Sequence, residues 1–369
     1  MSSASLWLRS TVQRRYRDTM APLSLQPQQP KHPLERLSSH YPPNPQEEAR
    51  AQLGRKEMFI RPASVFIFAI YSVSSKLIGN FVMPHGGIAL DPTHFNTTNS
   101  TSLEEAWQIH EACITVGEEI SKLNPDLILL STPHGIADLR NFVFYLNPAA
   151  YGTADTDNCA CPPCCYNASI NIDANMTMKV VSSLFHHRNV SGLSGFGPPG
   201  QSSEPFPLRW GEVIPVHFIR GLNTSNIKFM ILSQPSRRYT EDVQMIPELL
   251  NLGASLYEIL ERSPKRVVII ISGDLAHTHL ASGPYGYSNT SEPFDKACSS
   301  WVTSLNGEFL TVKAASVVDK ALSCGFTGLV TLHGLMEAGG LHTWKQRLLV
   351  NHHPSYYGMM VASFLRQQK

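Results

Sequence analysis

The sequence has little charge and almost no excess of either sign. Only 16% of its 369 residues are charged, where soluble domains have roughly 25%. Thirty Lys and Arg against 29 Asp and Glu give a formal net charge of +1. A nucleic-acid-binding protein usually has a basic excess or stripe, so the composition gives no support to a nucleic-acid partner. With 42% hydrophobic residues, a highly charged disordered chain is excluded.

Long hydrophobic runs are also lacking. The longest, Ala63–Val73, is shorter than the about 20 apolar residues of a membrane-spanning helix, and it predicts a core strand or helix start. No charged n-region followed by an apolar h-region is found in the first residues, so we expect no secretory signal. The first 20 residues contain several arginines and no acid before Asp18, which is compatible with a mitochondrial transit peptide or a plain disordered tail. We expect no membrane association and a cytoplasmic location, with the mitochondrion as the alternative.

The chain divides into two parts by composition. Residues 1–60 are rich in Pro, Gln, Arg and Ser and show no hydrophobic periodicity, which predicts a disordered or weakly ordered extension. Residues 61–369 predict a single globular domain. Within it, the Gly/Pro/Ser-rich stretch 192–207 predicts a lid or a loop on the substrate side.

The cysteine count is odd, at seven, which argues against a fully paired secreted framework. Four cysteines are clustered in the loop sequence NCACPPCC, and no second CxxC lies at zinc-finger spacing. An ordinary reduced loop is the favoured interpretation, with metal binding and disulfide formation as alternatives. The clustered residues are Cys159, Cys161, Cys164 and Cys165.

Short apolar runs alternate with amphipathic stretches along the globular part. This alternation predicts an α/β fold with a central mixed or parallel sheet flanked by helices. The predicted strands are 80–83, 127–130, 213–219, 227–232 and 267–271. The predicted helices run from a capping box at Ser102–Glu105 to about Asn124, and over 247–262, 294–318 and 329–338.

Three histidines follow predicted strands closely. His85 lies in PHGG, His134 in TPHG, and His277 in SGDLAH. Ligands of open α/β sheets bind beyond the carboxyl ends of the strands, so these side chains are predicted to converge on one site. Imidazole suits Zn, Cu, Fe and Ni. If the turn after the third strand differs from this prediction, His279 takes the place of His277.

The third protein ligand of such a site has two candidates. Asp274 is close to His277 in sequence, although it would serve equally well to orient a neighbour. Cys324 lies at a predicted helix start, where the backbone dipole lowers the pKa of a thiol and favours the ligating thiolate. A buried structural role for Cys324 is the alternative.

Several motifs occur together in one order. They are FVMPHGGIALDP, LLSTPHG, the strand with SGDLAH, GPYGYSNTSEPFDKA and the CG-containing stretch before GLMEA. As a set, over residues 78–365, they resemble the class III extradiol ring-cleavage dioxygenases in their catalytic subunit-B-type (LigB-type) domain. The same superfamily includes the DOPA dioxygenases and the Memo proteins.

The resemblance implies an α/β fold and an Fe(II) ion held by two His and a third protein ligand, usually Glu. His85 and His134 match the metal-binding histidines, and His277 matches the catalytic histidine. No Glu occurs at the third ligand position; Memo-like relatives have Cys there, which implies Cys324 as the third metal ligand. Zinc is the alternative ion. The sequence also departs from many relatives at 209–211, which reads Arg-Trp-Gly.

The implied activity is cleavage of a catechol-type ring with insertion of both atoms of O2. The expected partners are a small aromatic diol and O2, with a homodimer as a further expectation. Phe196, Trp210 and Tyr287 are candidates for stacking on the ring. A Memo-like metal-binding protein without ring cleavage, acting in redox signalling or through a protein partner, is the alternative. Zinc-dependent hydrolysis with Asp274 as general base is a third hypothesis.

Overall fold

The computed structural model describes residues 76–219 and 227–367. The predicted N-terminal extension, residues 1–60, and the apolar run Ala63–Val73 lie outside these ranges. Among the described helices, none combines the length and apolar character that crossing a bilayer requires.

A large mixed sheet forms the centre of the described chain. The strands are β1 (Leu77–Met83), β2 (Leu127–Thr132), β3 (Phe142–Tyr145), β4 (Ala149–Ala154), β5 (Tyr166–Ile172), β6 (Val190–Leu193), β7 (Phe206–Leu208), β8 (Lys228–Ser233), β9 (Val267–Ser272), β10 (Trp344–His352) and β11 (Met359–Arg366). They run in the order β10-β11-β1-β9-β2-β8-β5-β4-β7, and β3 pairs with β8 and β6. The predicted α/β fold with a central mixed or parallel sheet is thereby confirmed.

The middle of the sheet is parallel. β1 pairs with β9, β9 with β2, and β2 with β8, all in parallel. One side of the sheet is completed by β11 and β10, which pair antiparallel. Every residue of β2 and β9 is buried, as expected for parallel strands that are covered on both faces. This burial explains why both strands begin with a continuous apolar run in the sequence, residues 127–130 in β2 and 267–271 in β9.

Helices cover both faces of the sheet. Successive residues of β2 point to opposite faces: Leu129 packs into one apolar layer with Leu249, and Leu130 packs into the other with Ile109. The helices are α1 (Ser100–Leu123), α2 (Ala174–Ser183), α3 (Trp210–His217), α4 (Arg238–Glu241), α5 (Ile246–Glu261), α6 (Ser291–Ser304), α7 (Val318–Ala321) and α8 (Phe326–Ala338). A π-helical turn, Phe309–Ala314, lies between α6 and α7.

Two local predictions were wrong. The predicted strand 213–219 falls largely in α3, whose first turn is closed by Glu212 Oε2 accepting the N–H of Arg209 at 2.9 Å. A short apolar run fits a buried strand and a buried helix equally well. The capping box predicted at Ser102 is also incorrect, because α1 begins earlier and the Asn99 side chain caps it.

The four clustered cysteines are paired. Cys159 is bonded to Cys164, and Cys161 to Cys165, in the loop between β4 and β5. The favoured prediction of a reduced loop is therefore wrong, and the alternative of disulfide formation is found. Among the described residues, the free cysteines Cys113, Cys298 and Cys324 are all buried.

Helices α5 and α8 cross at very close range. A Cβ atom at Gly253 of α5 would lie 2.1 Å from the backbone oxygen of Thr331. A Cβ atom at Gly334 of α8 would lie 2.4 Å from the backbone oxygen of Leu250. The crossing therefore depends on the absence of a side chain at both positions.

Replacing Gly253 with alanine is expected to lower the free energy of unfolding by about 1–3 kcal/mol, because the two helices must move apart. Urea denaturation measures the change. The control is Asn251→Ala, on the exposed side of the same helix, with an expected change below about 0.5 kcal/mol. Equal stability of Gly253→Ala and the control would show that the helix crossing tolerates a side chain.

Candidate metal centre

The carboxyl ends of β1, β2 and β9 carry the residues that the sequence singled out. His85 follows β1, His134 follows β2, and Asp274 and His277 follow β9. Because β1, β9 and β2 are parallel neighbours, these ends meet at one edge of the sheet. The His85 and His134 rings lie edge to face with centroids 4.8 Å apart.

Three potential ligand atoms form a compact cluster at this edge. A ring nitrogen of His85, a ring nitrogen of His134 and the sulfur of Cys324 all lie within 4.8 Å of one another. His85 Nε2 and Cys324 Sγ are 3.3 Å apart. His85 and Cys324 are buried, and His134 is partly buried. Two imidazoles and one thiol suit a transition metal such as Fe or Zn.

A hydrogen-bond chain fixes the tautomer of His85. Ser272 Oγ donates to the backbone oxygen of Gly211 at 2.5 Å, so it accepts from His85 Nδ1, which is 2.8 Å away. The Nδ1 atom therefore carries the proton, and the lone pair is on Nε2, the atom that faces Cys324. Sequence reasoning missed the role of Ser272, although Ser272 is the last residue of β9, the strand that His277 follows.

Burial keeps both histidines neutral. Desolvation is the main cause that lowers the pKa of His85 to about 3 and the pKa of His134 to about 2. The charge of Arg238 acts in the same direction on both rings, and so would His277 if it were protonated. A neutral imidazole has the free lone pair that metal binding requires, so both rings are in the ligating form at neutral pH.

Asp274 lies directly beside the cluster. Its Oδ1 accepts the backbone N–H of His85 at 3.0 Å, and its Oδ2 is 3.4 Å from His85 Nε2. Burial raises the pKa of this carboxyl group to about 6, although the neighbouring His277 opposes the shift. Asp274, His277 and Cys324 form a second group of ligand atoms within 4.8 Å. The carboxylate can therefore orient His85 or compete with Cys324 for a cation.

The loop that carries Cys324 reaches the end of β9 because two glycines face each other. A Cβ atom at Gly273 would lie 2.5 Å from the Cα atom of Gly325. The contact lets the Asp274 N–H donate to Cys324 Sγ at 3.3 Å, while the Gly325 N–H donates to the Asp274 backbone oxygen at 3.0 Å. A side chain at either glycine would push the thiol away from His85.

The acidity of Cys324 differs from the sequence-based prediction. The thiol lies two residues before Phe326, where α8 begins. Desolvation, and after it the charge of Asp274, nevertheless raise the pKa of Cys324 far above its ordinary value. The predicted lowering by the helix dipole is therefore wrong. Binding through the thiolate requires that an incoming cation displaces the thiol proton.

His277 lies on the cavity wall beside the cluster. Its Nδ1 donates to the backbone oxygen of Leu275 at 2.9 Å, so the neutral ring keeps its lone pair on Nε2. Burial lowers the pKa of His277, and the charge of Asp274 opposes this shift. The arrangement gives a neutral base that can accept a proton from a bound hydroxyl group. His279 does not replace it, because His279 Nε2 bonds to Asp295 at 2.8 Å.

A cavity of about 600 Å³ opens over the cluster. Trp210 forms part of its wall, with its ring centroid 4.9 Å from that of His134. Phe196 and Tyr287 are each 67% exposed and are not among the lining residues, so of the proposed stacking aromatics only Trp210 is placed there. The sequence reasoning missed three further lining aromatics, namely Tyr285, Tyr356 and Tyr357.

The sequence matches the family model described as the catalytic LigB subunit of aromatic ring-opening dioxygenase, over residues 80–362. The chain belongs to the LigB family. The resemblance drawn from the ordered motifs is thereby confirmed. The matched part of this LigB-family chain contains His85, His134, His277 and Cys324.

Two further proteins are similar to the LigB-family chain. Protein CA_C1420 of Clostridium acetobutylicum is 23% identical over 267 residues, which are 71% of this chain and 52% of that protein. The chain thus spans about half the length of this curated relative. The crystal structure of the uncharacterized protein JW3007 from Escherichia coli K12 aligns with a TM-score of 0.46 at 12% identity, over 78% of this chain and 99% of that one.

Proposed function

We propose that this LigB-family chain is a non-haem Fe(II)-dependent dioxygenase that cleaves a catechol-type ring with insertion of both atoms of O2. One observation carries the proposal. The ligand atoms of His85, His134 and Cys324 lie within 4.8 Å of one another, at a cavity that His277 also lines. Two histidines and one further ligand leave open positions on a metal, as oxygen-activating iron sites require.

The residues present fit such an ion. The His85 lone pair is directed by Ser272, and the neutral His134 needs no deprotonation to bind. When bound, Fe(II) would supply the activation of O2 and the attachment of the diol oxygens, and Zn is the alternative ion. A small aromatic diol and O2 are the proposed partners. A homodimer and a cytoplasmic location, with the mitochondrion as alternative, stay predictions.

The protein groups around the ion have distinct tasks in this proposal. His277 Nε2 takes a proton from the diol and later returns it, since Nδ1 is held by the Leu275 carbonyl. Trp210 and Tyr356 present aromatic surface to the substrate ring. Asp274 holds the backbone of His85 in place through its Oδ1. In this proposal, the side chains of the protein bind the substrate and transfer its proton, and the ion would supply the activation of O2.

A second function has one specific observation in its favour. Cys324 provides a buried thiol at the position where the extradiol enzymes that the motifs resemble usually have Glu. A thiolate is itself oxidisable, which favours a Memo-like metal-binding protein without ring cleavage. Such a protein would bind the same ion through His85 and His134 but would not turn over a diol.

Reconstitution with iron tests the proposed reaction. The full chain, purified without a histidine tag, is stripped of metal, loaded anaerobically with Fe(II), and mixed with O2 and a panel of catechols. We expect one iron per chain at this site, O2 uptake in a one-to-one ratio with substrate, and a yellow ring-opened product. The zinc-loaded chain is the matched control and is expected to give none of these signals.

The outcomes separate the two functions. Stoichiometric iron without O2 uptake or ring-opened product from any catechol contradicts the dioxygenase and supports the metal-binding protein. O2 uptake without ring opening, accompanied by oxidation of Cys324, also contradicts the dioxygenase and supports the metal-binding protein. In that case the thiol and not the diol has reduced O2.

A further inference from the structure

The loop between β4 and β5 gathers soft metal ligands outside the centre described above. We call residues 155–165 the cysteine loop. Its four cysteines have the spacing Cys-x-Cys-x-x-Cys-Cys, which concentrates four sulfur atoms in seven residues. The proposed dioxygenase reaction uses none of them, so the cluster is without an assigned purpose. The cysteines are Cys159, Cys161, Cys164 and Cys165.

A histidine from another part of the chain faces these sulfur atoms. His94 ends a short 3-10 turn, and its Nε2 is 3.4 Å from Cys164 Sγ. Ligand atoms of His94, Cys159 and Cys164 all lie within 4.8 Å of one another. A tetrahedral zinc ion with bonds of about 2.0–2.3 Å places its ligand atoms about 3.3–3.8 Å apart. The distance between His94 and Cys164 is already in that range.

The surroundings of His94 also favour a cation. Asp91 Oδ2 is 3.7 Å from His94 Nε2 and accepts the hydroxyl hydrogen of Tyr166 at 3.0 Å. This places a fixed negative charge beside the cluster. Asn158 of the cysteine loop donates to the backbone oxygen of His94 at 3.4 Å, so the loop and the histidine are held together.

The two disulfides contribute little stability as cross-links. They join residues only five and four positions apart, so they remove little conformational entropy from the unfolded chain and connect the loop only to itself. A metal ion bound by the same sulfur atoms and His94 would instead connect the loop to the segment that follows β1. The second arrangement also gives a role to the His94 imidazole beside the sulfur atoms, and the first does not.

We propose that the reduced cysteine loop binds one zinc ion through His94, Cys159, Cys164 and a third thiolate from Cys161 or Cys165. The disulfides and the zinc site are two states of the same residues. A dithiol reduces each S–S bond by two electrons and two protons, which yields two thiols, and the dithiol closes to a disulfide. Zn²⁺ then displaces the protons of the three thiols that it binds, and His94 binds as neutral imidazole.

The test counts zinc in the full chain. The protein is reduced with a dithiol, the dithiol is removed anaerobically, and the chain is incubated with Zn²⁺ and freed of unbound ions. We expect the reduced wild type to retain one more zinc ion per chain than the reduced double variant Cys159→Ser/Cys164→Ser. Oxidised wild type is expected to match that double variant. The difference excludes zinc bound at His85 and His134, which both proteins retain.

Three further variants test whether misfolding or unspecific binding explains the zinc count. His94→Ala keeps all sulfur atoms and is expected to weaken zinc at the loop by at least about 10–100-fold in a chelator titration. Cys113→Ala removes a buried free thiol elsewhere and is expected to keep the additional zinc. With Co²⁺ as the probe, His85→Ala is expected to retain the absorption band of a thiolate-bound ion.

Two results would overturn the proposal. One is an equal zinc count in the reduced wild type and the double variant, with His94→Ala unchanged in zinc affinity. The other is survival of both disulfides in excess dithiol, measured by alkylation and mass spectrometry. The zinc count is independent of catechol turnover. Failure of the zinc proposal therefore does not contradict the proposed dioxygenase, and failure of the dioxygenase does not contradict the zinc proposal.

Discussion

Replacing His277 with alanine is expected to lower the turnover number of the iron-loaded chain by about 10²–10⁴-fold, because the proposed proton acceptor is lost. Iron content should stay unchanged, since the proposed ligands are His85, His134 and Cys324. Steady-state O2 uptake gives the turnover number, and elemental analysis of the same sample gives the iron content.

The control for this experiment is His186→Ala, which removes an exposed imidazole that does not line the cavity. It should leave both turnover and iron content at the wild-type level. A His277→Ala chain with wild-type turnover would remove His277 from the mechanism. Simultaneous loss of iron would instead assign it to the metal, consistent with the ligand group that it forms with Asp274 and Cys324.

Replacing His85 with alanine is expected to reduce the bound iron from one per chain to almost none and to abolish ring opening. The change removes the Nε2 atom that lies 3.3 Å from Cys324 Sγ. It leaves Asp274 and Cys324 beside His134, and burial raises the pKa of the Cys324 thiol far above its ordinary value, so the thiol resists ionisation. Iron is measured after equilibrium dialysis, and circular dichroism verifies that the variant is folded.

Two further variants, at Ser272 and Cys324, test whether the loss of iron in His85→Ala comes from the loss of the metal ligand. Ser272→Ala keeps the ligand atom but removes the partner of His85 Nδ1, so iron affinity should fall by only about 10–100-fold. Cys324→Ser tests the third ligand, and unchanged iron affinity would transfer that role to Asp274. Full iron content in His85→Ala would show that the metal centre is elsewhere.

The parallel core was predictable from sequence because its strands are unambiguous. β9 begins with five consecutive β-branched residues, and each of the three histidines follows a predicted strand within a few residues. Their convergence follows from a general property of parallel sheets and needs no knowledge of side-chain packing. By contrast, α3 contains an apolar run of the length that a strand also has, and periodicity could not distinguish the two.

The remaining parts of the site depend on contacts that sequence patterns do not encode. Tyr356 and Tyr357 reach the cavity from the turn between β10 and β11, because that hairpin packs antiparallel against β1. No motif marks such residues. The pKa of Cys324 was mispredicted for a related reason, since a helix start is visible in sequence but complete burial next to Asp274 is not.

The strand order makes the proposed metal centre a late product of folding. β9 lies between β1 and β2, and Asp274 and Cys324 are 189 and 239 residues from His85. A nascent chain that has emerged only through β2 therefore carries both histidines but lacks the strand that holds them in place. Parallel pairing over such separations forms slowly. In this proposal, tight metal binding indicates that the sheet is fully assembled. A refolding chain is therefore expected to regain tight metal binding in its last step.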